Sequence, residues 1–537
     1  MGIRLKLGIL VAALGVLLTA GGTAHASDVV ASWIQLAPGS TAKFPTTANF
    51  GDAPLSMTPT ILARAIVSDY PDNGCPSVTL NHDRVIAMTR RFDGATLTDV
   101  PGTAGATNGK TGYPQYFINA SATAGQTLPG VNGGAVATTS WTECEAVIPS
   151  SPRVATIDGV DLKLPVSHPH RILVMADTGC RMNGARTAGG ANQQDCQDPR
   201  SFPLQMLAGL EVSMKPDLIV QVGDWFYRDT NCLTSGTETY TGCNTTTSTG
   251  YETWGDTFDS WNADLFYPAK SLLAAAPWVM VRGNHESCGR GARGWYALLD
   301  PHPYDINKVE CAKTAAYPAP GGTADAPTPT YNPDFEPTYI VPVNNVNYLV
   351  HDSSFANDSA VDTNMAKNYE IDMTNVLAAV GPKSINIYAT HKPTFGLGVT
   401  TDANNNLISI VGKNPVTDDY GDYTEQAAYY SGGSYGGSAF LKGVPANIAL
   451  FLSGHIHQLQ YVNFANPAVY APALIVGTGG DLLDADIPSF YSTQETLTPA
   501  GLTDIPKFVQ DATNSGKSVN YKVYQYNGAT TLAPVAR

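Results

Sequence analysis

Five short apolar runs, each followed within two residues by a polar segment, constrain this chain more than any other feature. The runs read ILVMA, LIVQV, APWVMV, INIYAT and IALFLS. The segments that follow them are Asp177-Thr178-Gly179, Gly223-Asp224-Trp225-Phe226-Tyr227, Gly283-Asn284-His285-Glu286, His391-Lys392-Pro393 and Gly454-His455-Ile456-His457. Short Val/Ile/Leu-rich runs are typical of buried strands. The polar segments are therefore predicted at the carboxyl ends of their strands, where open α/β sheets carry their sites.

The rest of the chain predicts an α/β fold with a β-rich region before it. Residues 27–165 contain alternating runs separated by Gly/Thr/Ala-rich stretches, and this pattern predicts a mostly β N-terminal domain, either a packing unit or a module that binds substrate or a cell-surface polymer. Residues 166–485 alternate strand-like runs with helical patterns, which favours βαβ units. Residues 486–537 are predicted to be a C-terminal extension that closes the catalytic domain, with VNYKVYQY as a closing strand.

The amino terminus predicts export. Arg4 and Lys6 precede the apolar stretch LGILVAALGVLLTA, and Ala24-His25-Ala26 is an A-x-A cleavage site, so residues 1–26 are predicted to be a signal peptide. An uncleaved membrane anchor is the alternative, but fourteen apolar residues are short for a span that needs about 20. We expect a soluble protein that is periplasmic or secreted.

The net charge narrows the class of partner. It is −15 for the whole chain. This acidity argues against nucleic acid or an anionic membrane as a general partner, because both are recognised through basic surfaces. The oligomeric state stays open.

The eight cysteines fit an oxidising compartment, where an even number suggests disulfides. Sequence does not fix their connectivity. Pairing between neighbours is the most economical, and it gives Cys75–Cys144, Cys180–Cys196, Cys232–Cys243 and Cys288–Cys311. A cysteine metal site is disfavoured because no C-x₂-C spacing occurs.

The five polar segments hold a consistent set of metal ligands. The oxygen donors are Asp177, Asp224, Asn284 and Tyr227, and the imidazoles are His391, His455 and His457. Hard oxygens combined with imidazole suit iron, manganese or zinc. Each segment alone is weak, because a single Asp after a strand is most often a cap or turn former. The prediction of a metal site depends on all five segments occurring in order.

Together the five segments resemble the calcineurin-like metallophosphoesterase superfamily, with its motifs D-x-H, G-D-x-x, G-N-H-E/D, H and G-H-x-H. Most of that superfamily has a histidine where this chain has Gly179. This chain has instead Tyr227, three residues after Asp224. Loss of the histidine together with gain of the tyrosine resembles the purple acid phosphatases. The resemblance covers about residues 166–485 and implies a metallophosphoesterase-like βαβ sandwich of two sheets flanked by helices.

The resemblance also implies a ligand set and a mechanism. A ferric ion would be bound by Asp177, Asp224, Tyr227 and His457. A divalent iron, zinc or manganese ion would be bound by Asp224, Asn284, His391 and His455. Asp224 would bridge the two ions, and a metal-bound hydroxide would attack phosphorus. His285 would face the substrate and stabilise the phosphoryl group or protonate the leaving oxygen.

The resemblance implies an acid phosphatase acting on small phosphomonoesters. A phosphodiesterase or nucleotidase on the same fold is an alternative, because the inserted loops rather than the metals would select the substrate. A second alternative, of another class, is a non-catalytic binding protein on a phosphoesterase core. The filled ligand positions argue against it. Two further residues have candidate roles. Arg282 either contacts phosphate or supports the end of its strand, and both roles stay open. His351 is interpreted as a structural residue.

Overall fold

The computed structural model describes residues 29–38, 59–68, 74–91, 141–182, 194–196, 198–228, 256, 258–287, 290–304, 335–354, 356, 362–394, 396, 399–401, 407–410, 423–430, 447–464, 471–481, 521–525 and 533–534. The predicted signal peptide lies outside the described residues, as do the predicted pairs Cys232–Cys243 and Cys288–Cys311.

Strands are the most abundant regular structure in the described chain. In chain order they are β1 (Val29–Ala37), β2 (Thr60–Ser68), β3 (Ser77–Leu80), β4 (Arg84–Ala87), β5 (Thr89–Arg90), β6 (Trp141–Ile148), β7 (Val154–Ile157), β8 (Val160–Lys163), β9 (Ile172–Met175), β10 (Leu218–Val222), β11 (Trp278–Val281), β12 (Tyr339–Val343), β13 (Val346–Val350), β14 (Ile385–Ala389), β15 (Val399–Thr401), β16 (Leu407–Ile410), β17 (Ile448–Ser453), β18 (Leu459–Phe464), β19 (Ala473–Val476), β20 (Tyr521–Gln525) and β21 (Ala533–Pro534).

Helices connect these strands. They are α1 (Leu204–Ser213), α2 (Phe258–Trp261) with a π-helical continuation (Asn262–Phe266), α3 (Lys270–Ala275), a 3₁₀ turn (Asn284–Glu286), α4 (Ala292–Gly294) with a π-helical continuation (Trp295–Leu299), α5 (Thr363–Val380) and α6 (Tyr423–Tyr430). No helix within the described ranges is both long enough and apolar enough to cross a membrane.

Two large mixed sheets form the core. The first has the order β5-β6-β2-β1-β11-β10-β9, and β1, β11, β10 and β9 run parallel within it. The second has the order β12-β13-β14-β17-β19-β18-β20-β21, and β13, β14, β17 and β19 run parallel. The parallel strands of the first sheet lie at one side of it, with β9 as the edge strand, whereas the second sheet has a parallel centre and antiparallel edges. The α/β fold with several sheets is confirmed.

The five apolar runs form parallel strands of the two sheets, and most of their residues are buried. One buried cluster contains Val222 and Val281 of the first sheet together with Leu452 and Val476 of the second, so the two sheets pack against each other. A second cluster joins the other face of the first sheet to helices, and it contains Trp261, Leu272, Trp278 and Leu298. The carboxyl ends of β9, β10, β11, β14 and β17 all lead into the polar segments.

The N-terminal region is mostly β, as predicted, and it continues the first sheet. β1 pairs in parallel with β11 at Gln35 and Trp278, and β2 and β6 extend the sheet in antiparallel fashion. β4, β3, β7 and β8 form a separate antiparallel sheet. A division of the chain at residue 165 stays a prediction, and the pairing of the first sheet runs across it.

Two of the four predicted disulfides are present. Cys75–Cys144 and Cys180–Cys196 both have Cα atoms 5.7 Å apart. Cys180 follows Gly179 directly and is buried. The second bridge therefore anchors the segment that leaves the end of β9.

Candidate metal centre

Three of the predicted ligands lie on backbone that side-chain-bearing residues rarely adopt. Asp177 has φ of 56°, Asp224 of 53° and His455 of 69°. Each residue follows closely on the end of its strand, at the point where the chain turns sharply. Left-handed backbone at residues other than glycine costs about 1–3 kcal/mol and is concentrated at functional sites. The surrounding structure holds these three turns in place.

Four of the predicted ligands meet around the Tyr227 hydroxyl. This oxygen lies 2.7 Å from Asp177 Oδ1, 2.9 Å from Asp224 Oδ2 and 3.0 Å from His457 Nε2. His457 Nε2 is also 3.2 Å from Asp177 Oδ1. The structure thus brings together the two carboxylates, the phenol and the imidazole that the sequence assigned to the first metal position. We call these residues the Tyr227-side group.

The other predicted ligands meet on the opposite side of Asp224. His391 Nε2 lies 2.9 Å from Asn284 Oδ1 and 3.1 Å from Asp224 Oδ2. His455 completes this set, because ligand atoms of Asp224, His391 and His455 all lie within 4.8 Å of one another. We call Asp224, Asn284, His391 and His455 the His391-side group. Asp224 Oδ2 contacts both groups.

The His391-side group needs a cation by its own chemistry. His391 Nδ1 is 2.9 Å from Val222 O, a pure acceptor, so Nδ1 carries a hydrogen and donates it. Nε2 of a neutral His391 would then point a lone pair at two further acceptors, Asn284 Oδ1 and Asp224 Oδ2. Burial opposes a charge on His391, but Asp224 raises its pKa to about 9. A proton or a metal ion fits between these atoms, and nitrogen with hard oxygen suits divalent zinc, iron or manganese.

The chemistry of the Tyr227-side group also favours a bound cation. Burial opposes a charge on His457, but Asp481 and Asp177 raise its pKa to about 10. Burial and the charges of Asp177 and Asp224 raise the pKa of Tyr227 well above its ordinary value. The phenol therefore stays protonated unless a strong cation is present, and an oxygen-rich set of this kind suits ferric iron.

Packing explains why position 179 carries no histidine. A Cβ added to Gly179 would lie 2.8 Å from Tyr227 N, 2.9 Å from Asp264 Oδ2 and 3.0 Å from Trp225 O. The chain around Tyr227 therefore occupies the space that any side chain at 179 would need. Gly179 and Tyr227 are linked sterically as well as by ligand chemistry.

Two buried carboxylates that sequence reasoning did not assign hold these loops. Glu286 accepts hydrogen bonds of 2.8–3.0 Å from the backbone N–H groups of Gly283, Asp224, Trp225 and Phe226. Its position in the G-N-H-E segment is the sequence feature that could have identified Glu286.

Asp264 accepts hydrogen bonds from Tyr227 N at 2.9 Å and Cys180 N at 3.2 Å, and it pairs with Arg228. It lies in the π-helical continuation of α2 and has no sequence signal. Asp264 therefore ties the loop after β9 to the loop after β10.

His285 lies beside the centre without joining either group. Its backbone N–H donates to Asp224 Oδ1 at 2.8 Å, and its Nε2 is 3.9 Å from Asp224 Oδ2. The ring centroid is 3.9 Å from that of Tyr227, and 12% of the side chain is exposed. His285 therefore borders the side of the centre that solvent reaches.

Arg282 and His351, the two further residues with candidate roles, are both buried. Arg282 donates to Glu286 O at 2.9 Å and to Asp352 Oδ2 at 3.1 Å, and it lies over the ring of Tyr296. These contacts indicate that Arg282 supports the end of β11. His351 is 2.8 Å from Thr338 Oγ1, and burial lowers its pKa to about 3, which fits a structural role.

Solved structures similar to this chain include a purple acid phosphatase and PhoD. The purple acid phosphatase PPD1 isolated from yellow lupin (Lupinus luteus) seeds is 13% identical with a TM-score of 0.38, and the alignment covers 84% of this chain and 66% of the lupin chain, just under two thirds of its length. The structure of PhoD is 11% identical with a TM-score of 0.38, covering 92% of this chain and 83% of PhoD. Comparison with curated proteins gives no match.

The family is assigned from the sequence, by a match to a family model. A sequence model of the calcineurin-like phosphoesterases matches residues 170–459, which is more than half of the chain and includes all five polar segments. The same segments converge on one buried centre rich in oxygen and imidazole donors. This chain belongs to the calcineurin-like phosphoesterase family.

Proposed function

We propose that this protein is an exported phosphoesterase that uses two metal ions and hydrolyses small phosphomonoesters, as acid phosphatases do. The observation that carries the proposal is the position of Asp224 Oδ2. This oxygen is 2.9 Å from Tyr227 OH in one donor group and 3.1 Å from His391 Nε2 in the other. A carboxylate shared by two donor groups is the arrangement that holds two ions about 3.5–4 Å apart.

The two groups differ in chemistry, which supports two different ions. The Tyr227-side group offers Asp177, Asp224, Tyr227 and His457, and we assign it to ferric iron. The His391-side group offers Asp224, Asn284, His391 and His455, and we assign it to divalent iron, zinc or manganese. Bound ions would supply positive charge that neutralises phosphate oxygens and makes water nucleophilic near neutral pH.

The chain itself contributes positioning and a proton. Glu286 fixes the backbone of the loop that carries Asp224, so the shared carboxylate does not need to reorganise when substrate binds. His285 Nε2 lies 3.9 Å from Asp224 Oδ2, and the side chain is partly exposed to solvent. We assign its Nε2–H to the phosphoryl oxygens or to the leaving oxygen, where a positioned proton donor contributes about 10²–10⁴-fold in rate.

Export is supported by the two described disulfides, because such bonds persist in oxidising compartments. The A-x-A site at Ala24-His25-Ala26 predicts a mature chain that begins at Ser27. Amino-terminal sequencing of protein recovered outside the cytoplasm tests this. A chain that retains Met1 there would contradict cleavage.

The decisive experiment combines metal analysis with turnover. We expect two ions per chain and hydrolysis of p-nitrophenyl phosphate, with slower hydrolysis of the diester bis(p-nitrophenyl) phosphate. Asp224→Ala should lose both ions and all activity, because both groups share this carboxylate. Asp198→Ala is the matched control, since Asp198 is a partly exposed aspartate paired with the exposed Arg200.

Each outcome has a distinct meaning. Full activity in Asp224→Ala would refute the two-ion proposal. Faster hydrolysis of the diester would favour a phosphodiesterase on the same fold. Metal binding without turnover of any phosphomonoester, phosphodiester or nucleotide would favour a binding protein.

A further inference from the structure

The loop Gly477–Asp481 lies beyond the segment that the family model matches, yet it forms part of the metal centre. It follows β19 and runs against the loop after β9: Gly479 N donates to Ala176 O and Asp481 N to Asp177 O, both at 3.0 Å. A Cβ on Gly479 would lie 2.1 Å from Ala176 O. Glycine therefore permits the close approach that brings Asp481 to the Tyr227-side group.

Asp481 connects an arginine to a predicted ligand. Its side chain is fully buried and accepts two-point hydrogen bonds from Arg181, at 2.8 Å from Nε and 2.6 Å from Nη2 to the same Oδ2 oxygen. That oxygen is also 3.5 Å from His457 Nδ1. Arg181 Nη2 is 3.4 Å from the same Nδ1, and its guanidinium lies 5.2 Å from the centroid of the Tyr227 ring.

Asp481 and Arg181 favour opposite tautomers of His457. His457 Nε2 faces Asp177 Oδ1 and Tyr227 OH, so Nε2 is the nitrogen that can bind a metal ion. Nε2 binds only through a lone pair, which requires the ring hydrogen on Nδ1. A carboxylate beside Nδ1 accepts that hydrogen and favours this tautomer. A guanidinium donor beside Nδ1 favours the opposite one, with hydrogen on Nε2.

We propose that Asp481 is a positioning residue for the Tyr227-side metal ion. Its Oδ2, 3.5 Å from Nδ1, can accept the Nδ1–H of His457, and its two-point contact with Arg181 competes with the 3.4 Å hydrogen bond from Arg181 Nη2 to Nδ1. Both actions keep the Nε2 lone pair directed at the metal position. The inference rests on the proposed function, because it assumes a metal ion at that position.

The test measures retention of metal in the isolated holoprotein. Carboxylates that orient ligating histidines contribute about 10–100-fold to metal affinity. We therefore expect Asp481→Ala to lose one of its two ions at a chelator concentration about 10–100-fold lower than wild type does. The ion at the His391-side group should be retained as in wild type. Asp198→Ala is the matched control, because it also removes an aspartate from an Asp–Arg pair.

A double variant separates positioning from simple support of the fold. Adding Arg181→Met to Asp481→Ala removes the competing donor, so part of the lost metal affinity should return. Loss of structural support alone would make the double variant equal to or worse than the single one. The double variant also removes the partly buried charge that would lose its Asp481 partner, so it serves where Asp481→Ala alone does not fold. Its expected affinity is still below that of wild type.

The inference is overturned if Asp481→Ala, or the double variant in its place, retains both ions as wild type does. It is also overturned if the double variant shows no recovery relative to the single one. Failure of the proposed function looks different, because then wild type and Asp198→Ala would themselves bind fewer than two ions.

Discussion

Replacing Gly179 with alanine tests whether this position excludes every side chain. The added Cβ would meet two backbone atoms and the Asp264 carboxylate at 2.8–3.0 Å. None of these atoms can move freely, since Asp264 is itself bonded to Tyr227 N and paired with Arg228. Overpacking of this kind costs about 1–3 kcal/mol. We expect Gly179→Ala to lower the free energy of unfolding by that amount, near the upper end because the Asp264 hydrogen bonds shift as well.

Urea unfolding of the metal-free protein, followed by tryptophan fluorescence and circular dichroism, measures the effect. Gly209→Ala is the matched control: Gly209 lies in α1, and a Cβ there would have no atom within 4 Å apart from those of its chain neighbours and its own helix backbone. That substitution should stabilise the protein by about 0.5–1 kcal/mol, since alanine favours helix. Gly179→His should be destabilised more than Gly179→Ala and should not gain a ligand. Wild-type stability in Gly179→Ala would refute the steric argument.

Three further predictions follow from the centre. Tyr227→Phe should remove any visible tyrosinate-to-iron absorption, and an iron-loaded wild type without such a band would contradict the ferric assignment. His285→Ala should lower turnover by about 10²–10⁴-fold while both ions remain bound; an unchanged rate would remove His285 from the mechanism. In the metal-free protein, the raised pKa values of His391, about 9, and His457, about 10, favour the folded state. That stabilisation should be complete below pH ~6.5, where the unfolded chain is also protonated, and should be lost as pH rises through 9 to 10. Unfolding free energies that do not fall over this range would contradict it.

The sequence by itself determined the strands and most of the chemistry of the centre. Runs such as LIVQV became β10 because a strand buried on both faces must be apolar throughout, and this property is local. The places of the predicted ligands follow from the sequence for a related reason. Asp177, Asp224 and His391 each lie within two residues of the end of such a run, and the carboxyl ends of parallel strands meet at one edge.

Only the tertiary structure decided which distant groups support these ligands. Asp264, Asp481 and Arg181 carry no motif, because an acidic or basic residue in a helix or loop has the same local pattern whether it is solvated or buried. Their roles depend on partners far along the chain, such as the contact between Arg181 and Asp481. The exclusion of a side chain at Gly179 has the same origin. It results from the backbone of Tyr227, which only folding brings against it.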